Sequence, residues 1–197
     1  ADYVLTEAGF GADLGFEKFM HIKARFNALE PSAAVLVVSV RALKSHGGVR
    51  TRDLEQSNKD AVKRGMPNIE HIIRMIGLFG IPVVVAINRF DSDTNDEIAV
   101  VRHGVAAAGA FEAVESRAFS EGGNGAIDLA EALVSATNRP EPEISYLYPI
   151  EATTEQKVLA VAQKVYGAND VSWSPVAQRQ LRSFSKHGWG GLPVCIA

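Results

Sequence analysis

Short apolar runs alternate along most of the chain with segments of helical period. Four of these runs, residues 3–6, 34–40, 82–87 and, more weakly, 111–114, are rich in β-branched residues and short enough to be strands buried on both faces. Between these runs and after the last one, apolar residues recur every three or four positions, which predicts helices over residues 15–29, 69–76, 98–105 and 127–134. A repeated strand–helix–strand order implies right-handed crossovers and a parallel sheet with helices on both faces.

Polar residues that favour helix N-termini precede three of the predicted helices: Asn68, then Asp93 or Thr94, then Asn124. Gly77 and Gly80 are expected to end the helix that follows Asn68. These signals place the first two of these helices between apolar runs and the third after the run at 111–114.

The pattern changes after the Arg-Pro-Glu-Pro segment at residues 139–142. Two helices are predicted beyond it, over 153–166 and 174–187, with no strong strand between them. We therefore predict an α/β unit over residues 1–139 and a mainly helical appendage over 140–197 that ends in a truncated strand. The chain opens inside an apolar run and without methionine, so we expect it to be part of a longer protein.

Composition narrows the class of protein. Hydrophobic residues make up 47% and charged residues 22% of the 197, which excludes disordered, collagen-like and coiled-coil chains. The longest apolar runs are far shorter than the roughly 20 residues that a membrane helix needs, and a net charge of −3 offers no general attraction for nucleic acid or anionic lipid. The single Cys195 favours a reducing compartment, and we expect a cytoplasmic protein.

Glycines fill the loop after the first apolar run. Residues 6–15 read TEAGFGADLG and lead directly into a predicted helix, whose free N–H groups can face an anion. The loop fails as a dinucleotide fingerprint, because Leu14 occupies the third glycine position and no acid follows the second strand. The alternative is a tight turn that serves packing.

Basic residues follow the second apolar run. Arg41 and Lys44 can hold a phosphate or a carboxylate, although a solvated basic face is the usual explanation for such a segment. His46 is better explained as a hydrogen-bonding loop residue than as a catalyst or metal ligand.

The third run ends in a pattern typical of guanine recognition. Asn88, Arg89 and Asp91 satisfy the asparagine, basic, any, aspartate order of GTPases. A hydrolase of that class also needs a Walker loop, yet no Gly-Lys pair occurs in the 197 residues. Either the phosphate-binding part lies elsewhere or the pattern is accidental, so a GTPase-like nucleotide hydrolase fragment stays open as an alternative.

Two aromatic residues are predicted at neighbouring strand ends. Phe90 follows the third run, and Phe119 precedes a second glycine-rich loop, Gly-Gly-Asn-Gly at residues 122–125. Ligands of open parallel sheets bind beyond the carboxyl ends of the strands. The two rings are either core residues or a stacking site for a flat heterocycle.

Several long motifs together resemble formate–tetrahydrofolate ligase, also called formyltetrahydrofolate synthetase. The resemblance covers nearly the whole chain in order: TEAGFGADLG at 6–15, VRALK at 40–44, HGG at 46–48, PVVVAINRF at 82–90, GGNG at 122–125, residues 150–168 and LPVC at 192–195. It implies a fold like that of P-loop NTPases and an ATP-dependent synthesis of 10-formyltetrahydrofolate from formate and tetrahydrofolate through formyl phosphate. Tetrahydrofolate and ATP with Mg²⁺ are then substrates, and no tightly bound prosthetic group is expected.

The resemblance also implies what lies outside the chain. The family's ATP loop would lie upstream of Ala1, which would explain the missing Gly-Lys pair. We expect the chain alone to be inactive, the parent enzyme to be a homo-oligomer, and neither nucleic acid nor membrane to be a partner. A non-catalytic folate- or nucleotide-binding module is the remaining alternative.

Site residues follow from the same resemblance. Phe90 matches a phenylalanine that contacts the pterin ring, and Phe119 falls where many members have tryptophan. Asp91 and Asn124 depart from the proline and glutamate that those members carry. Residues expected near the nucleotide and formyl phosphate are Gly9, Gly11, Asp13 and Arg41. The sequence nominates no catalytic residue and no metal ligand.

Overall fold

A computed structural model describes residues 1–140 and 142–196. These residues form two compact units, one of Pro31–Ile144 and the other of Ala1–Glu30 with the segment that starts at Ser145. The predicted division into 1–139 and 140–197 differs from this grouping, because the first thirty residues join the C-terminal segment. Glu141 in the Arg-Pro-Glu-Pro segment and Ala197 at the end of the predicted terminal strand lie outside the described residues.

Helices and strands alternate through the middle of the chain. In chain order the elements are α1 (Ala12–Lys18), a π-helical segment (Phe19–Ala24), α2 (Arg25–Asn27), β1 (Ala34–Val38), α3 (Val40–His46), α4 (Lys59–Gly77), β2 (Val83–Asn88), α5 (Asn95–Ala107), β3 (Glu112–Ser116), α6 (Ala118–Glu121), α7 (Ile127–Thr137), α8 (Thr154–Lys164) and α9 (Pro175–Lys186). Short 3₁₀ turns lie at Thr51–Asp53, Gly122–Ala126 and Trp189–Gly191. No helix in the described part of the chain is both long and apolar enough to cross a membrane.

The strands form one parallel sheet in the order β1-β2-β3. The register pairs Val38 with Ile87 and Asn88 with Ser116. The central strand β2 is buried at each of its first five residues, as its continuous apolar sequence predicts for a strand covered on both faces. The predicted α/β class and parallel sheet are confirmed.

Helix α7 covers one face of the sheet. Its Ala132 and Ala136 pack against Val84 of β2 and Val114 of β3. The alternate side chains of β2 point to the opposite face, where α4 and α5 contact the sheet. Val37 of β1 lies on the α7 side but is 65% exposed, so α7 covers only the β2–β3 part of that face.

Two predicted strands are wrong. Residues 3–6 and 192–196 have no strand structure, and Val4 and Leu5 are largely exposed. A strand is stable only where a neighbour accepts and donates its backbone hydrogen bonds, and an apolar run alone does not provide that neighbour.

Two of the predicted helix caps are also wrong. Helix α4 begins at Lys59, is capped by the side chain of Asn58, and continues through Pro67, so Asn68 lies inside it. The long apolar stripe of α4, buried against the sheet unit, outweighs the hydrogen bond lost at the proline. Asn124 lies in the 3₁₀ turn before α7, which has no side-chain cap. Thr94 caps α5 as predicted, with Glu97 completing a capping box.

Candidate functional site at the strand ends

The carboxyl ends of the three parallel strands meet at one edge of the sheet. Arg41 lies in the first turn of α3, directly after β1, and Phe90 lies two residues beyond the end of β2. The guanidinium carbon of Arg41 is over the Phe90 ring, 6.0 Å from its centroid, within the range of a cation–π contact. The structure thus brings together two residues that the sequence predicted separately.

The backbone of Phe90 is held by a turn that Asp93 closes. The Phe90 N–H donates to Asp93 Oδ2 at 2.9 Å, and the Asp93 N–H donates to the Phe90 carbonyl at 3.0 Å. The Phe90 side chain is 36% exposed, whereas Asp93 is buried. Burial raises the pKa of the Asp93 carboxyl above its ordinary value.

A fully buried ion pair lies behind this turn. Lys44 Nζ is 3.2 Å from Glu97 Oε1, and both side chains are inaccessible to solvent. Burial would raise the pKa of Glu97, but hydrogen bonds from the N–H groups of Asn58 and Thr94, the Thr94 hydroxyl and Lys44 outweigh it and hold that pKa low. Of the two ligands that the sequence allowed for Lys44, the structure shows a carboxylate, and it belongs to the chain itself.

Arg89 joins the loop after β2 to β3. Its Nη1 donates to Glu115 Oε2 at 2.6 Å, and its main-chain N–H donates to the Ser116 carbonyl at 3.1 Å. Arg102 and Arg117 also face Glu115, at 3.1 and 3.8 Å. Burial opposes ionisation of Glu115, but the three guanidinium groups outweigh it and lower its pKa. Arg89, the basic residue of the guanine-recognition pattern, therefore links the end of β2 to β3.

Phe119 is presented to solvent at the neighbouring strand end. It lies in the four-residue helix α6 just beyond β3, and its side chain is 93% exposed. Such a side chain fills no core within this chain, so the core interpretation is wrong for Phe119. The loop after Phe119 then brings Gly125 close to the main chain of Arg117. A Cβ at this position would lie 2.5 Å from that main chain, so the close approach requires glycine.

The first glycine-rich loop belongs to the other compact unit. Gly11 is the N-cap residue of α1, and Asp13 is exposed in the first turn of that helix. A Cβ on Gly15 would collide with the main chain of Gly9, so close packing accounts for that glycine. The packing interpretation of the loop is supported at Gly15, while Gly9 has open space around it.

Two buried titratable side chains lie on the same helical stretch of that unit. Glu17 and His21 are both fully buried, one on α1 and the other in the π-helical segment. Burial raises the pKa of Glu17 to about 7, and it lowers the pKa of His21 to about 3 with help from the nearby Arg25. The His21 ring stacks on Tyr148, with centroids 4.4 Å apart. Glu17 is therefore poised to titrate near neutral pH, while His21 stays neutral.

Sequence reasoning missed the buried support of the Phe90 loop. The sequence identifies Asp93 only as a candidate helix cap. The Thr94-x-x-Glu97 spacing is a capping-box signal that identifies Glu97 as a structural residue. No local signal pairs Lys44 with Glu97, because that contact depends on how α3 and α5 pack. Among residues 1–140 and 142–196 no three acidic, histidine or cysteine side chains are grouped to hold a metal ion.

Comparison with known proteins agrees with the motifs. The family model described as formate–tetrahydrofolate ligase matches residues 1–197. The chain is 48% identical over 205 aligned positions to the formate–tetrahydrofolate ligase of Roseiflexus sp. (strain RS-1), and the alignment covers all of this chain and 36% of that relative. The chain thus spans about a third of the length of the curated relative it matches. A match over the whole chain favours the ligase over the GTPase-like alternative, and the chain belongs to the formate–tetrahydrofolate ligase family.

Proposed function

We propose that this chain supplies the folate-stacking residues of an ATP-dependent ligase that forms 10-formyltetrahydrofolate from formate and tetrahydrofolate. The observation that carries the proposal is the placement of Phe90 and Phe119 after the paired strand-end residues Asn88 and Ser116. Arg41 backs the first ring, and the second ring is almost entirely exposed. Aromatic faces at a sheet edge suit a flat pterin.

The proposed reaction has two steps. ATP, bound with Mg²⁺, transfers its γ-phosphoryl group to a formate oxygen, which gives formyl phosphate and ADP. N10 of the folate then attacks the formyl carbon, the bond from that carbon to the phosphate oxygen breaks, and N10 loses a proton. Holding the pterin flat against Phe90 and Phe119 would fix the position of N10 relative to the reactive carbonyl, which is a major source of rate enhancement.

Charge near the phosphoryl group is the second requirement. Arg41 lies in the first turn of α3 at the sheet edge, where a guanidinium can neutralise a transferring phosphoryl group. We propose that Gly9, Gly11 and Asp13 lie near the nucleotide. Gly11 caps α1, so the main-chain N–H groups of that helix start are not taken up by a capping side chain.

The rest of the ATP site is proposed to lie in the remaining length of the relatives. The parallel strands would then be part of a larger sheet like that of P-loop NTPases, with the Walker loop outside this segment. No Gly-Lys pair occurs among the 197 residues, so we propose that the chain alone does not catalyse formyl transfer. We further propose a cytoplasmic, homo-oligomeric enzyme whose partners are its small-molecule substrates, with no tightly bound prosthetic group.

The function is tested with the chain alone and with a chimera. Purified chain is incubated with ATP, Mg²⁺, formate and tetrahydrofolate, and the same assay is run on the Roseiflexus relative with its aligned segment replaced by this chain. We expect no product from the chain alone and 10-formyltetrahydrofolate, ADP and phosphate from the chimera. Product from the chain alone would overturn its proposed inactivity. A folded chimera that hydrolyses GTP and forms no formyltetrahydrofolate would instead favour the nucleotide hydrolase.

A further inference from the structure

We infer that Asp93 is a positioning residue for Phe90, and that the buried pair of Lys44 and Glu97 anchors it. This inference rests on the proposed folate site, because it explains how one of the two stacking rings is kept in place. Asp93, Lys44 and Glu97 are buried, and their proposed effect on the folate is transmitted through the Phe90 backbone.

Asp93 holds Phe90 at both of its main-chain polar groups. Its Oδ2 accepts from the Phe90 N–H at 2.9 Å, and its own N–H donates to the Phe90 carbonyl at 3.0 Å. Asp91 and Ser92, which complete this turn, are more exposed than Asp93. Asp93 is therefore the buried residue of this four-residue turn, and its carboxyl group and main-chain N–H both hydrogen-bond to Phe90.

Burial of that carboxylate is costly for a turn at the end of a strand. Asp93 is only 4% exposed, and its Oδ1 has no hydrogen-bond partner in the described part of the chain. An exposed serine or asparagine could close such a turn without this desolvation penalty. Lys44 and Arg89 offset part of this cost electrostatically, against the opposing charge of Glu97, and burial still leaves the pKa of Asp93 above its ordinary value.

The pair of Lys44 and Glu97 ties the turn to three helices. Lys44 belongs to α3, and Glu97 belongs to α5. Glu97 Oε1 accepts from the main-chain N–H of Asn58, the N-cap residue of α4, at 2.8 Å. Its Oε2 accepts from the N–H of Thr94, the residue that follows Asp93, at 3.0 Å. Asp93 thus lies in the chain between Phe90, which it holds by two hydrogen bonds, and Thr94, which the buried pair holds.

A fixed backbone position matters for Phe90 because its ring is partly exposed. The side chain is 36% exposed, and the Arg41 guanidinium lies 6.0 Å from the ring centroid. A shift of about 1 Å in a group that positions a substrate can cost a large part of the rate. The Asp93 carboxylate limits that shift through the backbone, where it cannot compete with a ligand for the face of the ring.

The test uses the full-length ligase that carries this segment and measures KM for tetrahydrofolate and for ATP, kcat and the melting temperature. The variants are Asp93→Ala, Asp93→Asn, Phe90→Ala and the double variant Phe90→Ala/Asp93→Ala, with Asp91→Ala as the exposed control from the same turn. We expect Asp93→Ala to raise the folate KM about tenfold, because the Phe90 N–H loses its acceptor, and to change the ATP KM less than about twofold. Asp93→Asn keeps an acceptor oxygen at the same place and should recover most of the folate KM. In the Phe90→Ala background, Asp93→Ala should add less than about twofold, since the ring that it positions is gone.

Each of the following outcomes would overturn the inference. One is an equal rise in the ATP and folate KM values in Asp93→Ala, which is the result of general damage. Another is an undiminished effect of Asp93→Ala in the Phe90→Ala background. The third is an Asp91→Ala effect as large as that of Asp93→Ala. If Phe90→Ala itself leaves the folate KM unchanged, the proposed folate site fails, and the inference fails with it; if Phe90→Ala weakens folate but Asp93→Ala does not, only the inference fails.

Discussion

The guanidinium of Arg41 lies over the ring of Phe90, 6.0 Å from the ring centroid. Arg41 starts α3 after β1, and Phe90 follows β2, so this contact joins the loops of two neighbouring strands. One face of the ring is thereby covered by a cation that belongs to the protein. The opposite face is the one proposed to receive the pterin.

Removal of the Arg41 side chain should weaken folate binding and also slow the reaction. In the full-length ligase, Arg41→Ala should raise the folate KM by about 2- to 5-fold, because an exposed cation–π contact contributes about 0.5–1 kcal/mol. It should also lower kcat, since a cation proposed to lie near the transferring phosphoryl group is lost. Steady-state kinetics with each substrate varied in turn measure both effects, and Arg41→Lys serves as the charge-preserving control. Unchanged kinetics with every substrate would remove Arg41 from the site.

Asp91 should have no part in the choice of nucleotide. In the guanine-recognition pattern of GTPases the aspartate binds guanine. The comparisons instead place this chain among ligases named for formate and tetrahydrofolate. Asp91→Ala and Asp91→Pro should therefore leave the ratio of kcat/KM for ATP and GTP unchanged in the full-length enzyme. A shift of tenfold, about 1.4 kcal/mol, would restore the GTPase-like interpretation.

The buried pair of Lys44 and Glu97 should contribute strongly to stability once formed. Lys44→Met leaves the Glu97 carboxylate buried without its cation, and breaking a buried pair in this way typically costs about 3–5 kcal/mol. Urea unfolding of the chain measures the change in free energy. Lys63→Met is the matched control, because Lys63 forms an exposed pair with Asp60 at 3.8 Å and surface pairs contribute about 0–1 kcal/mol. Equal destabilisation by both variants would contradict the prediction.

Glu17 should make the stability of the chain depend on pH. Its pKa is raised from 4.5 to about 7 in the folded chain, chiefly by burial, so between these values the folded state binds more protons than the unfolded state. Stability from this group is then fully present below pH 4.5 and is lost as the pH rises through about 7.

The variant Glu17→Gln isolates this contribution. The free energy of unfolding of the original chain, relative to Glu17→Gln, should fall by about 3 kcal/mol between pH 4.5 and pH 8. Comparison with the variant removes the contribution of His21, whose lowered pKa works in the opposite direction as the pH falls below its ordinary value. The exposed Glu155→Gln is the control for the substitution itself. A difference that stays constant across this range would contradict the assignment of a buried, protonated Glu17.

Local sequence signals predicted the elements whose stability is local. Thr94 was predicted as a cap because its hydroxyl can bond an N–H within the same turn, and no distant contact is needed. The buried strand 82–87 was predicted from its continuous apolar run. Asn68 misled because the start of α4 is decided by packing over nineteen residues, and that packing carries the helix through Pro67.

The candidate site was predictable only in its outer parts. Arg41, Phe90 and Phe119 are candidates because they follow predicted strands, and parallel strands bring their carboxyl ends to one edge. The Arg41–Phe90 contact and the burial of Asp93 depend on side-chain packing, which periodicity does not encode. For the same reason the sequence does not show that Lys44 forms a buried ion pair with Glu97 and is therefore inaccessible to a phosphate.

The exposed ring of Phe119 gives the most direct test of the proposed folate site. Stacking on an aromatic side chain contributes about 1–3 kcal/mol per contact, so Phe119→Ala in the full-length ligase should raise the apparent constant for tetrahydrofolate by about 5- to 150-fold and leave that for ATP nearly unchanged. Phe119→Trp keeps a stacking face and should be tolerated. Folate saturation that is unaffected by Phe119→Ala, together with weaker ATP binding, would contradict the assignment of this strand end to the folate.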